Sequence, residues 1–374
     1  MKITDISLTM STWELPKDPS KLGNSGLGGH LPPRRSSTEI ALVTISTDEG
    51  IEGHSFLGTT SYPATFDGPA AIEYLKPILI GKNPLDIGRL WQDMWARTRM
   101  YVSIRSVSAL DIALWDIAGK AANLPIHRLL GTCRQSIPAY YSGGKPTPEE
   151  CVNEALECKS KGFIGYKYKG EDTPRELIEK CRALRKAVGD EFILMLALGN
   201  SLSYEDALRV GREIEELKYF WYQSPLRADD MYGNIKLARE LDIPIGSTGD
   251  TPGGFYYLNQ WIVQGATDIV NADVEFKGGI TALVKICHLA EAFRMKCEIK
   301  HTGTSLGDVA NLHVQMAIVN CDFYEYISEM WTHFGLVRNV SVDKNGLVHA
   351  PEAPGLGYEI DWELLKKNTT QALR

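Results

Sequence analysis

Several things are missing from this 374-residue chain, and each absence removes a class of function. No apolar run reaches the roughly 18 residues of a membrane span, and Met1-Lys-Ile-Thr-Asp5 does not read as a secretion signal. Basic tracts are absent, and 47 acidic residues outnumber 40 basic ones for a net charge of −7. A general nucleic-acid partner is therefore not expected. The seven cysteines are odd in number, scattered and without a C-x-x-C pair. They read as reduced thiols of a cytoplasmic protein rather than a disulfide framework. Zinc spacings and low-complexity tracts are lacking. No G-x-G-x-x-G or Walker motif follows any apolar segment, which argues against an open nucleotide-binding sheet.

What remains is an ordinary globular composition, 44% apolar and 23% charged, in a chain too long for one average domain. The first third reads as strands followed by helices. Lys2–Met10 alternates, Thr38–Ser46 and Ile51–Leu57 flank the turn Asp48-Glu-Gly50, and helical stretches follow near 67–80, 84–98 and 103–122. Residues 14–37 form a loop rich in Gly, Pro and Ser, read as a lid over a site. After Leu129-Leu-Gly131 the pattern becomes strand-helix alternation. Eight candidate strands are Ile137–Tyr141, Phe163–Tyr168, Phe192–Ala197, Tyr219–Gln223, Ile243–Ser247, Asp268–Asp273, Cys297–His301 and Asp322–Ile327. Eight alternations predict a closed (β/α)8 TIM barrel, whose strand C-termini share one mouth where chemistry collects. The expected division is an α+β capping domain over 1–130, a barrel over 131–335, and a segment 336–374 (strands Leu336–Val342 and Gly346–His349) returning to the cap.

This layout resembles the enolase superfamily in its mandelate racemase/muconate lactonizing enzyme branch. The resemblance rests on Ser108-Ala-Leu-Asp-Ile-Ala-Leu-Trp-Asp-Ile-Ala-Gly-Lys120, Lys167-Tyr-Lys169, Asp273 with Gly278-Gly279, His301, Glu325 and Pro354-Gly-Leu-Gly357. It implies a modified barrel whose cap is built from both chain ends, and a reaction that starts by removing a proton alpha to a carboxylate. It also implies a homo-oligomer. By the same resemblance Lys169, next to Lys167, is a base on one face of the substrate, and a His301–Asp273 dyad serves the other. Glu325 hydrogen-bonds the developing enolate. Two ammonium groups side by side repel, which favours a neutral amine on one of them, as a general base needs. A carboxylate beside an imidazole fixes its tautomer and stabilises its cation. Gln223, Asn200, Asp250, His30 and Tyr62 are candidate substrate contacts.

One departure from the family stands out. Its members hold Mg²⁺ with acids at the ends of strands three, four and five, and here those positions carry Ala197, Gln223 and Gly249, with Asp250 adjacent. A hard divalent cation wants anionic oxygen ligands, so no metal is expected at the family site. The expected function is a lyase or isomerase (dehydration or epimerisation) that abstracts a proton alpha to a carboxylate or carbonyl of a small anionic or polyhydroxylated molecule, sugar-acid- or keto-sugar-like, with metal independence as an open option. Two alternatives are a binding protein for an acidic small molecule and a conventional Mg²⁺-dependent acid-sugar dehydratase.

Overall fold

Short runs of apolar residues, buried on both faces, are what a parallel sheet covered by helices demands. In a computed structural model describing residues 1–15, 37–59, 62–170, 172–199, 202–302, 305–327 and 334–374 they form that sheet. The first three strands belong to the cap: β1 (Ile3–Glu14), β2 (Ser37–Thr47) and β3 (Glu52–Leu57). The barrel follows with β4 (Ser136–Gly143), β5 (Gly165–Gly170), β6 (Ile193–Leu198), β7 (Tyr222–Gln223), β8 (Ile245–Gly246), β9 (Ile269–Ala272), β10 (Lys296–Ile299) and β11 (Tyr324–Ile327). Neighbours pair in the order β10-β9-β8-β7-β6-β5-β4-β11, all parallel. Between β10 and β11, side chains bridge the seam: Glu298 accepts from the Asp322 N–H at 2.9 Å and Glu325 from the His301 N–H at 3.0 Å. The eight strands expected from the sequence are thus all present, in a nearly closed barrel.

Helix signals are local and chemical. Thr147 and Thr173 each open a helix (Pro148–Ser160 and Pro174–Val188) with a reciprocal capping box to Glu150 and Glu176. In the cap, Ser103 opens Ile104–Ala122 by accepting from the Ser106 N–H, and Asn123, left-handed at φ 53°, closes it. This helix packs so closely on β3 that a Cβ at Gly53 would lie 2.1 Å from the Ala113 carbonyl oxygen.

The same helix joins cap to barrel. Asp111 accepts from the Thr281 N–H at 2.9 Å and its hydroxyl at 2.6 Å, Trp115 Nε1 donates to Thr281 Oγ1 at 2.9 Å, and Ser108 accepts from the Gly278 N–H at 3.1 Å. Asp116 accepts from His54 N–H on β3 and Leu356 N–H in the Pro354–Gly357 tail, both at 2.9 Å. A Cβ on Gly279, at φ 85°, would meet Asp111 Oδ2 at 2.3 Å, so the Gly-Gly turn lets the two units touch.

The C-terminal segment departs from expectation. β12 (Leu347–His349) pairs antiparallel with β4, on the barrel and not the cap, and Leu336 makes only an isolated bridge to Ile360 in place of a strand over 336–342. The return to the cap comes later, through the helix Trp362–Asn368 and β13 (Thr369–Leu373), which pairs antiparallel with β1 and completes the sheet β13-β1-β2-β3.

Candidate active site

Alternation along β5 decides which lysines reach the barrel interior. Tyr166 and Tyr168 bond outward to Glu154 and to Asp172 and Lys180 on the helical layer, so Lys167 and Lys169 share the opposite face. Register sets Lys169 beside Ala197 at the end of β6, and Ala197 beside Gln223 at the end of β7. Beneath them an apolar plug of Tyr140, Met195, Trp221, Ile269 and Phe323 fills the barrel.

Lys167 is buried and tightly held. Its ammonium donates to Glu325 Oε1 at 2.6 Å, Tyr140 Oη at 3.0 Å and Gln223 Oε1 at 3.1 Å. Burial pulls its pKa down, against the pull of Glu325. Burial would push the Glu325 carboxyl up, but Lys167 and Lys169 outweigh it and hold the pKa at about 2. The carboxylate Oε1 and Oε2 are engaged by the Lys167 ammonium and the His301 N–H, so where the sequence places Glu325 against a developing enolate, the structure has it tying β5, β10 and β11 together.

The His301 partner is also corrected. Its Nδ1 lies 3.1 Å from Asp308 Oδ1, at the start of the helix Leu306–Ala317, and not against Asp273. Asp273 is occupied otherwise. Its Oδ1 caps the turn Val274–Lys277 by accepting from the N–H groups of Glu275 (2.8 Å) and Phe276 (2.7 Å), because the strand ends one residue before it. Its Oδ2 is buried without a hydrogen bond among the described residues and faces the Lys300 ammonium at 3.7 Å. His301 Nε2 likewise is buried without a hydrogen-bond partner among the described residues. With Nδ1 engaged by Asp308, Nε2 is the ring atom left to take or give a proton.

Lys169 is half-buried and makes no hydrogen bond or ion pair among the described residues. Glu325 accepts from the His301 N–H at 3.0 Å and pairs with Lys167, which shares the inward face of β5 with Lys169. Asp250 is exposed and pairs with Lys300 at 2.6 Å. Tyr62 packs edge-on against Phe276 at 5.4 Å and under the Arg105 guanidinium at 4.9 Å, within the seam of cap and barrel. His30, Asn200 and all but the ends of the loop 14–37 lie outside the described residues.

Three residues here escaped sequence reasoning: Tyr140, Asp308 and Lys300. Lys300 immediately precedes His301 and was readable as a strand-end cation. Asp308 sits seven residues beyond His301 with no spacing that announces it. Lys277 is buried too, donating to the Thr251 carbonyl at 2.8 Å and hydroxyl at 3.1 Å, with its pKa pulled down to about 8 by burial and the charge of Lys300.

A capped barrel with a lysine and a histidine raised on different strand ends around one buried carboxylate defines a class of proton-transferring barrel enzyme. The comparisons say which. Residues 150–364 match the family described as Enolase C-terminal domain-like, and residues 34–131 the mandelate racemase/muconate lactonizing enzyme N-terminal domain. Arabinonate dehydratase of Saccharolobus solfataricus is 31% identical over 343 residues, 86% of this chain and 88% of that protein. L-talarate/galactarate dehydratase of Salmonella typhimurium is 34% identical over 266 residues, 68% of this chain and 66% of that protein. The D-glucarate dehydratase structure from Agrobacterium tumefaciens, complexed with magnesium, superposes with a TM-score of 0.87 at 31% identity, covering 99% of this chain and 100% of that one. The chain belongs to the enolase superfamily, in its mandelate racemase/muconate lactonizing enzyme branch, and is a lyase or isomerase.

Proposed function

We propose that this enzyme removes the alpha proton of a sugar acid and then eliminates water or returns the proton to the other face, without a divalent metal. The observation that carries the reading is a pair of proton carriers, Lys169 Nζ and His301 Nε2, each without a hydrogen bond among the described residues, at the ends of β5 and β10 that Glu325 ties together through Lys167 and the His301 N–H. Named relatives that act on arabinonate, talarate and galactarate support the substrate class. In the proposed step, the Lys169 amine takes the alpha proton while the C–H electron pair flows into the carboxylate as an enediolate. For dehydration, the His301 imidazolium hands its proton to the β-hydroxyl as that C–O bond breaks, water leaves, and the electron pair closes the new double bond. For epimerisation, the same imidazolium delivers its own proton to the opposite face of the alpha carbon, and the abstracted proton stays on Lys169. Asp308 on Nδ1 keeps the ring oriented and steadies its charged form.

The residues at the three strand ends do not fit a magnesium ion. Ala197 and Gly249 have no donor atoms, and the Gln223 carbonyl oxygen already accepts from the Lys167 ammonium. Nearby Glu325 and Asp250 are each bound to a lysine. A hard dication needs several oxygen ligands, most of them from carboxylates or water, and here the carboxylates have cations of their own.

The test is solvent exchange. A panel of aldonates and aldarates in D₂O, followed by proton NMR after chelation of divalent ions, should show loss of one alpha proton signal. Lys169→Ala and His301→Asn should each suppress it by at least about a hundredfold. If exchange appears only when Mg²⁺ is restored, the metal-free reading fails. If it appears with no member of the panel, the sugar-acid reading fails.

A further inference from the structure

Lys300 has the geometry of an internal replacement for a metal ion. It follows β10, yet its side chain leans across β9 toward β8. A Cβ built on Gly249 would come within 3.1 Å of Lys300 Cδ and 3.3 Å of Cε. The space into which a side chain at position 249 would project is therefore taken by the Lys300 stem. Its ammonium ends 2.6 Å from Asp250 Oδ1, 3.7 Å from Asp273 Oδ2 and 5.1 Å from the centre of the Phe276 ring. One carboxylate on strand five's loop and one on strand six's loop thus converge on a single cation.

We propose that Lys300 is the resident cation of this site and receives the carboxylate of the substrate, the task a bound divalent ion would perform. The proposal rests on the reading of the site as a place for a carboxylate. Of the three N–H donors of the ammonium, Asp250 takes one within hydrogen-bond distance. Asp250 is exposed, so an entering anion can exchange with it at little desolvation cost. Asp273 is fully buried and stays behind, which keeps the ammonium in place while its outer partner changes. The pattern also fits the glycine: a Cβ at 249 would press on the lysine stem, and a longer side chain would project into the space it occupies.

The experiment uses two probes that do not depend on knowing the substrate. Oxalate, a planar dianion shaped like an enediolate, is titrated calorimetrically into the full chain in the presence of a chelator. Mn²⁺ is titrated separately and followed by electron paramagnetic resonance. The expected result is oxalate binding by the parent without metal, weakened roughly ten- to hundredfold in Lys300→Met and within about threefold of the parent in Lys300→Arg. Mn²⁺ should show no stoichiometric binding to the parent and should bind more tightly, by about tenfold or more, to Lys300→Met, whose Asp250 and Asp273 have lost their cation. Thermal unfolding of both variants identifies a misfolded protein, and Lys300→Arg then carries the comparison with Asp250→Asn, which should tighten oxalate by removing its competitor. Unchanged oxalate affinity in Lys300→Met, no oxalate binding by the parent, or tight stoichiometric Mn²⁺ on the parent each overturns the proposal. Failure of the solvent-exchange test alone, with Lys300-dependent oxalate binding intact, would overturn the catalytic reading and leave this one standing.

Discussion

Replacing Glu325 by glutamine should expose how much of this barrel is held by one buried ion pair. Glu325 and Lys167 are each about 2% exposed at the side chain, with 2.6 Å between charged atoms. The carboxyl is held at about 2 against an ordinary 4.5, a difference worth about 3 kcal/mol in the balance between charged and neutral forms. A folded-state pKa below the unfolded one contributes stability that is present above pH 4.5 and is lost as pH falls toward 2. The Lys167 ammonium works the other way, since burial lowers its pKa and its charge costs stability until it deprotonates. The net value of the pair is therefore smaller than the carboxylate's share. Removing one partner is a different matter, because it strands the other charge in the interior. Glu325→Gln should cost about 3–5 kcal/mol at neutral pH. The gap to the parent should close in acid, where the parent's own Glu325 protonates, and again in alkali, where the stranded Lys167 goes neutral. Urea unfolding followed by tryptophan fluorescence from pH 3 to 10 reads both limbs. The double variant Lys167→Met/Glu325→Leu should recover most of the lost stability while remaining inactive. A cost below about 1 kcal/mol, or a gap that does not vary with pH, would refute the buried-pair account.

Two further titrations test the joints around the site. Burial raises the Asp111 pKa from 3.8 to about 7 despite its two bonds from Thr281, so this group's contribution to stability is present near pH 4 and is lost as pH rises through 7. Asp111→Asn keeps a carbonyl acceptor and removes the charge, so the parent's thermal midpoint should fall relative to the variant's across that range, the variant matching or exceeding the parent at pH 8; a difference that does not change with pH would contradict the assignment. His313 is buried with its pKa pushed down to about 3. It accepts from the His127 N–H at 3.1 Å and its Nε2 bonds the Leu356 carbonyl at 3.0 Å, which requires the neutral ring. The contribution of His313 to stability should therefore fall as pH drops from 6.5 toward 3, and His313→Gln, though about 1–3 kcal/mol weaker at pH 7, should lose that share of the acid slope.

The barrel was readable because a strand buried on both faces must be a short apolar run, and each such run ends in residues that break it. Ile193–Leu198 is an example, apolar throughout. β7 and β8 shrink to two-residue ladders, yet the flanking bonds from the Phe220 N–H to the Leu194 carbonyl and from the Leu196 N–H to the Trp221 carbonyl keep the expected alignment. The shared face of Lys167 and Lys169 follows from the two-residue period alone. Partners across space were not readable. Asp273 stands at a strand end, where a carboxylate is as apt to cap the next turn as to face a histidine, and local N–H groups claimed it. Asp308 sits in a helical first turn, where acids are common for reasons unrelated to any imidazole. Lys300 is one residue from His301, and strict alternation would put the two on opposite faces. The ladder stops at Ile299, and beyond it both side chains can reach the mouth. The second strand pair of the tail failed for a similar reason: Leu347–His349 has strand texture, but nothing local says which of two sheets it joins.

The arrangement of charge at the mouth limits what can bind there. A buried charge is tolerated when an opposite charge or several hydrogen bonds meet it, and the carboxylates meet that condition internally: Glu325 through Lys167, Asp250 and Asp273 through Lys300. On the proposed metal-free reading, a dication would add two positive charges beside Lys167 and Lys300, whose ammonium groups already pair with Glu325, Asp250 and Asp273. Adding an anion does the reverse, since it brings negative charge to the ammonium groups of Lys167 and Lys300. Neutral polyols of the same shape as an aldonate should accordingly bind at least about tenfold more weakly than the aldonate, by the loss of one charge-assisted contact. The difference should shrink in high salt as exposed attraction is screened, while the part due to buried Lys167 and half-buried Lys300 is screened less. Competition calorimetry between an aldonate and its reduced alditol at low and high ionic strength measures both parts. Equal affinity for the two would mean that this cluster of lysines serves the fold and not the ligand.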